Sequence, residues 1–310
     1  MATIADLDLR LMKLFLTIVE CRGFAAAQTS LNLSLSTISM HMSQLENRLG
    51  VRLCERGRDG FRLTPEGQKV YELGRRLIGT LSDVSSEIAG LRNALVGTLR
   101  IGLVDNVANN PTARLHEAIA RFDSRPHEVR MDVEIVSPRD IERHVADGLL
   151  DVGIGPSLAR QGSLDYEPVF EETQYLYCSY NHALFPRCPD RVTLNEVSRE
   201  KYAGHICPLP DNVLLHGKLR TATTGQHMES VALLVLSGRF IGYLPGHYAR
   251  EWVAGGQMRP ILPDRLFYEN VFYCMFRKRQ SPNKIIKQFV RDLKEAHRPL
   301  ALEPAAAGLV

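Results

Sequence analysis

The sequence predicts an α/β chain in two unlike halves: a helix-rich, winged helix-turn-helix N-terminal region with a long linker helix, then two α/β subdomains. Three observations carry that expectation. Two short helical patterns flank a break at Asn32-Leu33-Ser34 within Phe24 to Gly50. Apolar residues from Val70 to Leu91 recur at near-heptad steps. From Gly97 onward, β-rich runs alternate with helical ones, the order that builds a parallel sheet covered by helices.

The elements follow in order. Leu7, Leu11, Leu14, Phe15, Ile18 and Val19 repeat with helical period and predict a first amphipathic helix. Ala25 to Thr29 form a compact helix of small residues. Ser34 caps the next helix, which runs through Leu45 and Glu46 to a stop at Gly50. Small residues at a helix crossing, a short turn and a second helix with a polar outer face make a helix-turn-helix pattern. Ile38, Met42, Leu45 and Leu49 share one stripe expected to be buried, which leaves Ser36, Thr37, Met40, Ser43, Gln44 and Asn47 to face a major groove. From this stretch alone, an ordinary helical hairpin fits equally well. VRLCERGRDGFRLTPEG then reads as a strand, a tight loop at Gly57 to Gly60 and a return strand at Phe61-Arg62-Leu63. Arg56, Arg58 and Arg62 suit a wing that reaches phosphates or a minor groove, with a plain exposed hairpin as the alternative.

Thr64-Pro65-Glu66 is a strong helix start, and the helix is expected to run to roughly Leu95, ~45 Å at 1.5 Å per residue. Val70, Leu73, Leu77, Leu81, Val84, Ile88 and Leu91 form its seam. Such a seam packs either on its own domain or, as a symmetric DNA-binding pair requires, on a second copy. Strand LRIGLV, a helix from Pro111 to Phe122, strand VRMDVEIV, a helix from Arg139 to Asp147 and strand DVGIG make a first βαβαβ unit. A second unit covers about Leu164 to Leu262, with helices expected at Gln226 to Leu236 and His247 to Val253. Strand NVFYCMFRK and a helix from Asn283 to His297 then return to the first unit. The expected domains are 1–64 (winged helix-turn-helix), 65–95 (linker), 96–163 with 268–297 (first subdomain), 164–267 (second subdomain) and a loose tail at 298–310.

Composition excludes more than it names. The chain has 310 residues, 45% of them hydrophobic, and a formal net charge of +3, too mild to announce a nucleic-acid binder. Five basic residues nevertheless fall between positions 48 and 62, so the local field outweighs the sum. The six cysteines show no repeated short spacing, and Cys178, His182 and Cys188 lack a second pair, so free thiols and no metal are expected. No signal peptide opens the sequence and no apolar run approaches ~18 residues, so a cytoplasmic protein without membrane contact is expected. Walker, nucleophile-elbow, HExxH and dinucleotide signatures are missing, so no catalytic residue or cofactor is expected. Parallel α/β modules bind ligands at the C-terminal ends of their strands. Here these ends are Asp105 and Asn106, Ser137 and Pro138, Cys207 and Pro208, and Thr223 and Thr224. Asn109 or Asn110 is expected to cap the following helix, and peptide nitrogens there and after Thr224 suit an anion. His227, one turn into a helix at the same rim, joins the group. Each residue alone is equally well a cap or loop residue. Together they favour a small carboxylate or other polar anion, although Asp105 opposes one unless a cation or proton intervenes.

Read end to end, the chain resembles a LysR-type transcriptional regulator. The resemblance rests on FAAAQTSLNLSLSTISMHMSQLENRLGVRLCERGRDGFRLTPEG, in which Ala26-Ala27 opens the second helix, Ser39 lies mid-helix in the third, and Leu45-Glu46 and Leu49-Gly50 close it. LRIG at 99–102, GLLDVGI at 148–154, HAL at 182–184 and ESVALLVLSGRFIGYLP at 229–245 follow in the family's order. It implies two Rossmann-like subdomains resembling periplasmic binding proteins, with a small effector between them. It also implies a homodimer or homotetramer on an interrupted palindrome in promoter DNA, and contact with RNA polymerase. Carried over by position, Ser34, Ser36, Thr37, Ser39, Met40, His41 and Ser43 lie at or near the groove, and Arg56, Arg58 and Arg62 serve the wing. Leu35 stands where the family often has Gln, Met40 and Ser43 where it often has Lys or Arg, Cys54 for a common Phe and Ala183 for a common Pro. Without a base-reading arginine, specificity should lean on DNA shape and phosphate contacts. The competing class is a cytoplasmic small-molecule-binding or catalytic α/β protein with an accessory N-terminal domain.

Overall fold

Helices α1 (Asp6–Glu20), α2 (Phe24–Leu31) and α3 (Leu35–Leu49) pack their apolar stripes into one core. In the computed structural model, residues 6–57, 60–90, 95–278 and 283–298 are described. The chain divides into two compact units, Met1–Ile88 and Ala89–Val310. In the first unit Leu11, Phe15, Ile18, Ala27, Ile38, Met42 and Leu45 are fully or almost fully buried. Asn32, in the left-handed conformation, ends α2, and left-handed Gly50 ends α3. Leu49 departs from the expected stripe: as the last residue of α3 it lies beyond the turn that packs on the core, and it is exposed. Strands β1 (Cys54–Gly57) and β2 (Gly60–Leu63) pair antiparallel as a hairpin, and α4 (Pro65–Gly90) follows.

Helix α4 begins where its Thr-Pro signal places it. Thr64 Oγ1 accepts from Gly67 N at 2.9 Å and donates to Arg52 O at 2.7 Å, so the cap also anchors the hairpin's base. The seam divides. Val70, with Tyr71 and Ile78, packs on the first unit's core, whereas Leu73, Leu81, Val84 and Ile88 are exposed. Leu91 and the expected end of the helix near Leu95 involve residues 91–94, outside the described residues. The tail beyond Arg298 is likewise outside them.

The second unit is built on one seven-stranded sheet in the order β10-β6-β11-β5-β3-β4, with β9 also paired to β6. Its strands are β3 (Val96–Leu103), β4 (Glu128–Ile135), β5 (Val152–Pro156), β6 (Leu164–Ser179), β9 (Gly242–Pro245), β10 (Met258–Pro260) and β11 (Phe267–Arg277). As the alternation predicts, β3 pairs parallel with β4 and β5. A separate parallel pair joins β7 (Lys201–His205) to β8 (Arg220–Gly225). The expectation of parallel order fails for β6, β9, β10 and β11, which pair antiparallel. The reason is that β6 and β11 are long strands lying side by side through both cores. Leu164 and Phe170 of β6 belong to one core and Leu176 and Cys178 to another; Phe272 and Cys274 of β11 join the first. The paired span between those cores, from Glu171 to Thr173 and from Glu269 to Val271, is where the sheet passes from one half to the other.

Helices α5 (Leu115–Asp123), α6 (Pro138–Ala146) and α10 (Lys284–Ala296) cover the first half; α7 (Leu194–Arg199), α8 (Met228–Leu236) and α9 (Gly246–Ala254) serve the second. Two starts differ from expectation. Asn110 does not cap α5: its Oδ1 accepts from Thr112 N at 2.9 Å and Thr112 Oγ1 at 2.7 Å, closing a turn. The helix then waits until after Arg114, held in the left-handed region. His227 is not one turn inside α8 but is its N-cap residue. Among the described residues, no helix is long and apolar enough to cross a membrane, and no group of three or more His, Cys, Asp or Glu is placed to hold a metal.

Candidate functional site

The outer face of α3 is defined by what its inner face buries. With Ile38, Met42 and Leu45 in the core, Ser36, Met40, Ser43, Gln44 and Asn47 are exposed. Ser34 is the N-cap: its Oγ accepts from Thr37 N at 3.2 Å and lies 2.9 Å from Ser36 Oγ and 2.8 Å from Thr37 Oγ1. That local cluster fixes the first turn and turns its hydroxyls into a shared network. Thr37, Ser39 and His41 are half-buried, and His41 Nδ1 is enclosed without a hydrogen-bond partner. Arg62 is exposed on β2, facing Glu55 across the hairpin. Arg56 pairs with Phe61 in the backbone register, and Arg58 lies outside the described residues.

Glu46 joins the hairpin to α3. Its Oε1 accepts from Leu53 N at 2.8 Å and Cys54 N at 3.4 Å, a carboxylate holding two backbone donors at the first residues of the wing. Periodicity gave no hint of this role, because the apolar stripe assigns Glu46 neither to the core nor to the outward face. The adjoining backbone is tight: a Cβ at Gly67 would meet Leu53 O at 1.9 Å. Helix α3, the wing and the start of α4 are therefore positioned as one block.

In the second unit a cavity of about 290 Å³ opens where β6 and β11 cross between the cores. Of the residues expected from strand ends, Asp105, Pro138, Cys207 and Pro208 line it. Asn106, Ser137, Thr223, Thr224 and His227 do not. Asn106 instead donates to Asp105 Oδ2 at 2.9 Å. Ser137 is the N-cap residue of α6, with no side-chain cap bond. Thr223 and Thr224 lie along β8, paired with Ala203 and Gly204. His227 Nδ1 stands 3.9 Å from Asp105 Oδ1.

Sequence reasoning missed the cavity's floor. Glu172 and Gln174 on β6 and Tyr268, Asn270 and Phe272 on β11 line it. Glu172 is buried and accepts from Gln174 Nε2 at 2.6 Å, His247 Nε2 at 2.7 Å and Asn110 Nδ2 at 3.4 Å. Gln174 is fully buried and its Oε1 has no partner. The signal available was weak: a Glu and a Gln amid an apolar strand are unusual guests in a core, and buried polar groups ask for an explanation.

Two electrostatic details set the cavity's character. The N-terminus of α8, expected to receive an anion, is already occupied: Met228 N donates to Asp105 Oδ2 at 2.8 Å. The expectation of a free anion site there is corrected by the protein's own carboxylate. His205 is held in one neutral tautomer, since Gln226 O at 3.1 Å requires a proton on Nε2 while Cys207 N, donating at 3.3 Å, requires a lone pair on Nδ1. Burial also pushes its pKa below the ordinary histidine value, and burial raises the Cys207 thiol to about 12.

Comparison with known proteins identifies the family of both units. A family model for bacterial regulatory helix-turn-helix proteins of the lysR family matches residues 9–68, and a LysR substrate binding domain model matches residues 92–298. The HTH-type transcriptional activator BauR of Pseudomonas aeruginosa is 39% identical over 288 residues, 93% of this chain and 94% of that protein. The SDS degradation transcriptional activation protein of a Pseudomonas species is 29% identical over 65% of each chain. In fold, the crystal structure of CbnR, a LysR family transcriptional regulator, superposes with a TM-score of 0.62 at 18% identity, covering 94% of this chain and 99% of that one. CbnR complexed with its target DNA gives 0.61 at 18% identity over 94% and 100%.

Proposed function

This chain belongs to the LysR family of DNA-binding transcriptional regulators, and from that premise we propose how its residues divide the work. Ser36, Thr37, Met40 and Ser43 of α3 enter the major groove, with Ser39 and His41 supporting from the half-buried side. The hydroxyls meet base edges and Met40 meets thymine methyls. Arg56, Arg58 and Arg62 of the wing hold phosphates. The observation that carries this reading is the exposed polar face of α3, fixed by its buried stripe and tied to the wing through Glu46. Between Ser34 and Asn47 that face has no basic residue, so the wing and a second copy supply most of the electrostatic attraction.

Residues 1–64 act as the DNA-binding domain and 65–95 as the linker. Residues 96–163 with 268–297, and 164–267, act as two effector subdomains hinged at the β6–β11 crossing. A small molecule occupies the cavity between them and biases one arrangement of the two over another, which is the only way a ligand moves such an equilibrium. A homodimer, or a homotetramer built from it, forms through the exposed seam of α4 and binds an interrupted palindrome. As the name of the Pseudomonas aeruginosa relative suggests, the outcome is activation, through contact with RNA polymerase in the cytoplasm. Fluorescence anisotropy with DNA from upstream of the chain's own gene tests the core of this reading. Salt-sensitive binding that a scrambled duplex does not compete is the expected result. Equal affinity for both duplexes, or none for either, overturns it.

A further inference from the structure

We infer that the cavity of the second unit selects a small organic ammonium rather than a carboxylate, an inference that rests on reading that cavity as the effector site. Among the described residues its wall carries Asp105, Glu172 and Asp211 but no lysine or arginine. The imidazole in the wall, His205, is neutral by its hydrogen bonds. The positive end of α8 is turned to Asp105 and offers its first amide to that carboxylate, not to a ligand. Arg139, near the wall, is committed elsewhere: it donates Nε and Nη2 to Ile206 O at 3.2 and 3.0 Å, while the His247 imidazole is hydrogen-bonded to Glu172 at 2.7 Å. His227, on the rim, lies near the same Asp105.

What remains open is acceptor capacity. Asp105 Oδ2 takes both Met228 N and Asn106 Nδ2, leaving Oδ1 with only His227 at 3.9 Å. Gln174 Oε1 is buried and unpartnered, because the amide's other end is drawn to Glu172. A buried acceptor without a donor is unfavourable until a ligand brings one. A primary ammonium brings three N–H donors and the charge that Asp105 calls for. A carboxylate would set its own oxygens against Asp105 and Gln174 Oε1, and the repulsion would be strong in a half-enclosed site. Met228, Phe272 and the prolines of the wall leave room for a short apolar stem, and the volume limits the ligand to metabolite size.

The test uses the full chain and four probes: n-butylammonium and butane-1,4-diammonium against butyrate and succinate, at constant ionic strength and neutral pH. The ammonium probes are expected to raise the melting temperature with dose, and the carboxylates to leave it unchanged. Calorimetric affinity for the ammonium probes should fall roughly tenfold or more in Asp105→Asn and in Gln174→Met, by loss of a charge-assisted or buried hydrogen bond. Asp211→Asn, at an exposed rim residue, should fold normally and weaken the dication more than the monocation, which keeps the test informative if either inner variant fails to fold. Carboxylates that bind, and lose binding in Gln174→Met, overturn the ammonium inference while leaving the cavity as the effector site. Ammonium binding that none of the three variants changes places the ligand elsewhere and overturns both. No shift from either ammonium probe overturns the inference outright.

Discussion

His205 shows how one side chain reports on the cavity's lip. Its neutral tautomer bridges Gln226 O and Cys207 N, and burial holds its folded pKa below that of the unfolded chain. The sign follows: when pH falls through about 6.5, the unfolded state takes up the proton first, so stability present above that value is lost. His182 is shifted the same way by burial, opposed by Glu200, so the wild-type slope sums at least two groups. Urea midpoints for wild type and His205→Gln across that pH range separate them. The variant should lose less stability on acidification, and identical slopes would show that His205 is not buried as neutral imidazole. The N-cap gives a simpler expectation: Ser34→Ala should lower the first unit's stability by about 1 kcal/mol. It should also weaken DNA binding by more than stability explains, because the Ser34–Ser36–Thr37 hydroxyl cluster comes apart. Unchanged affinity in that variant would separate the cap from the reading face. At this scale the sequence was a fair guide to α3, where period and cap chemistry are local. It was a poor guide to the cavity: strand ends found Asp105, Pro138, Cys207 and Pro208, but Glu172 and Gln174 lie mid-strand, and only the pairing of β6 with β11 brings them to a cleft.

Elements made of local signals were legible, and elements made of long-range pairing were not. The winged domain, the Thr-Pro start of α4 and the parallel β3–β4–β5 unit all follow from period and turn residues within short windows. The antiparallel run of β6 against β11 joins Leu164 to Arg277 and Phe267 to Tyr175, and nothing in either strand's pattern names the other. The wing's anchorage is of the same kind. Glu46 reaches seven residues along the chain to Leu53 N, and Gly67 leaves room for Leu53 O. Glu46→Ala should therefore cost about 1.5–3 kcal/mol, the range for a hydrogen bond to a charged group. Gly67→Ala should cost about 1–3 kcal/mol by overpacking against backbone that cannot yield like a side chain. Thermal unfolding of the first unit's signal checks both. A Gly67→Ala protein as stable as wild type would mean that the wing and α4 adjust freely, and that they are not one block.

At the scale of the whole molecule, the question is how DNA is bound with useful affinity when α3, the helix proposed to read it, is weakly charged. Each winged region carries only a few cations suited to phosphates, and none on α3 between Ser34 and Asn47. Counterion release scales with the number of phosphates neutralised, so one copy alone yields a shallow dependence on salt. Two copies held together double that number and convert the second contact into an intramolecular event. The α4 seam is the surface proposed to hold them: Ile88 is 62% exposed, Val84 48% and Leu73 49%, an apolar stripe of the kind that packs on a partner. Leu81→Glu combined with Ile88→Glu should leave the first unit's core intact, since neither residue belongs to it. The variant should run as a monomer by light scattering, and the slope of log affinity against log salt should fall to roughly half. An unchanged slope with a monomeric variant would show that one winged domain makes all the phosphate contacts. An unchanged mass would move the interface off α4 altogether.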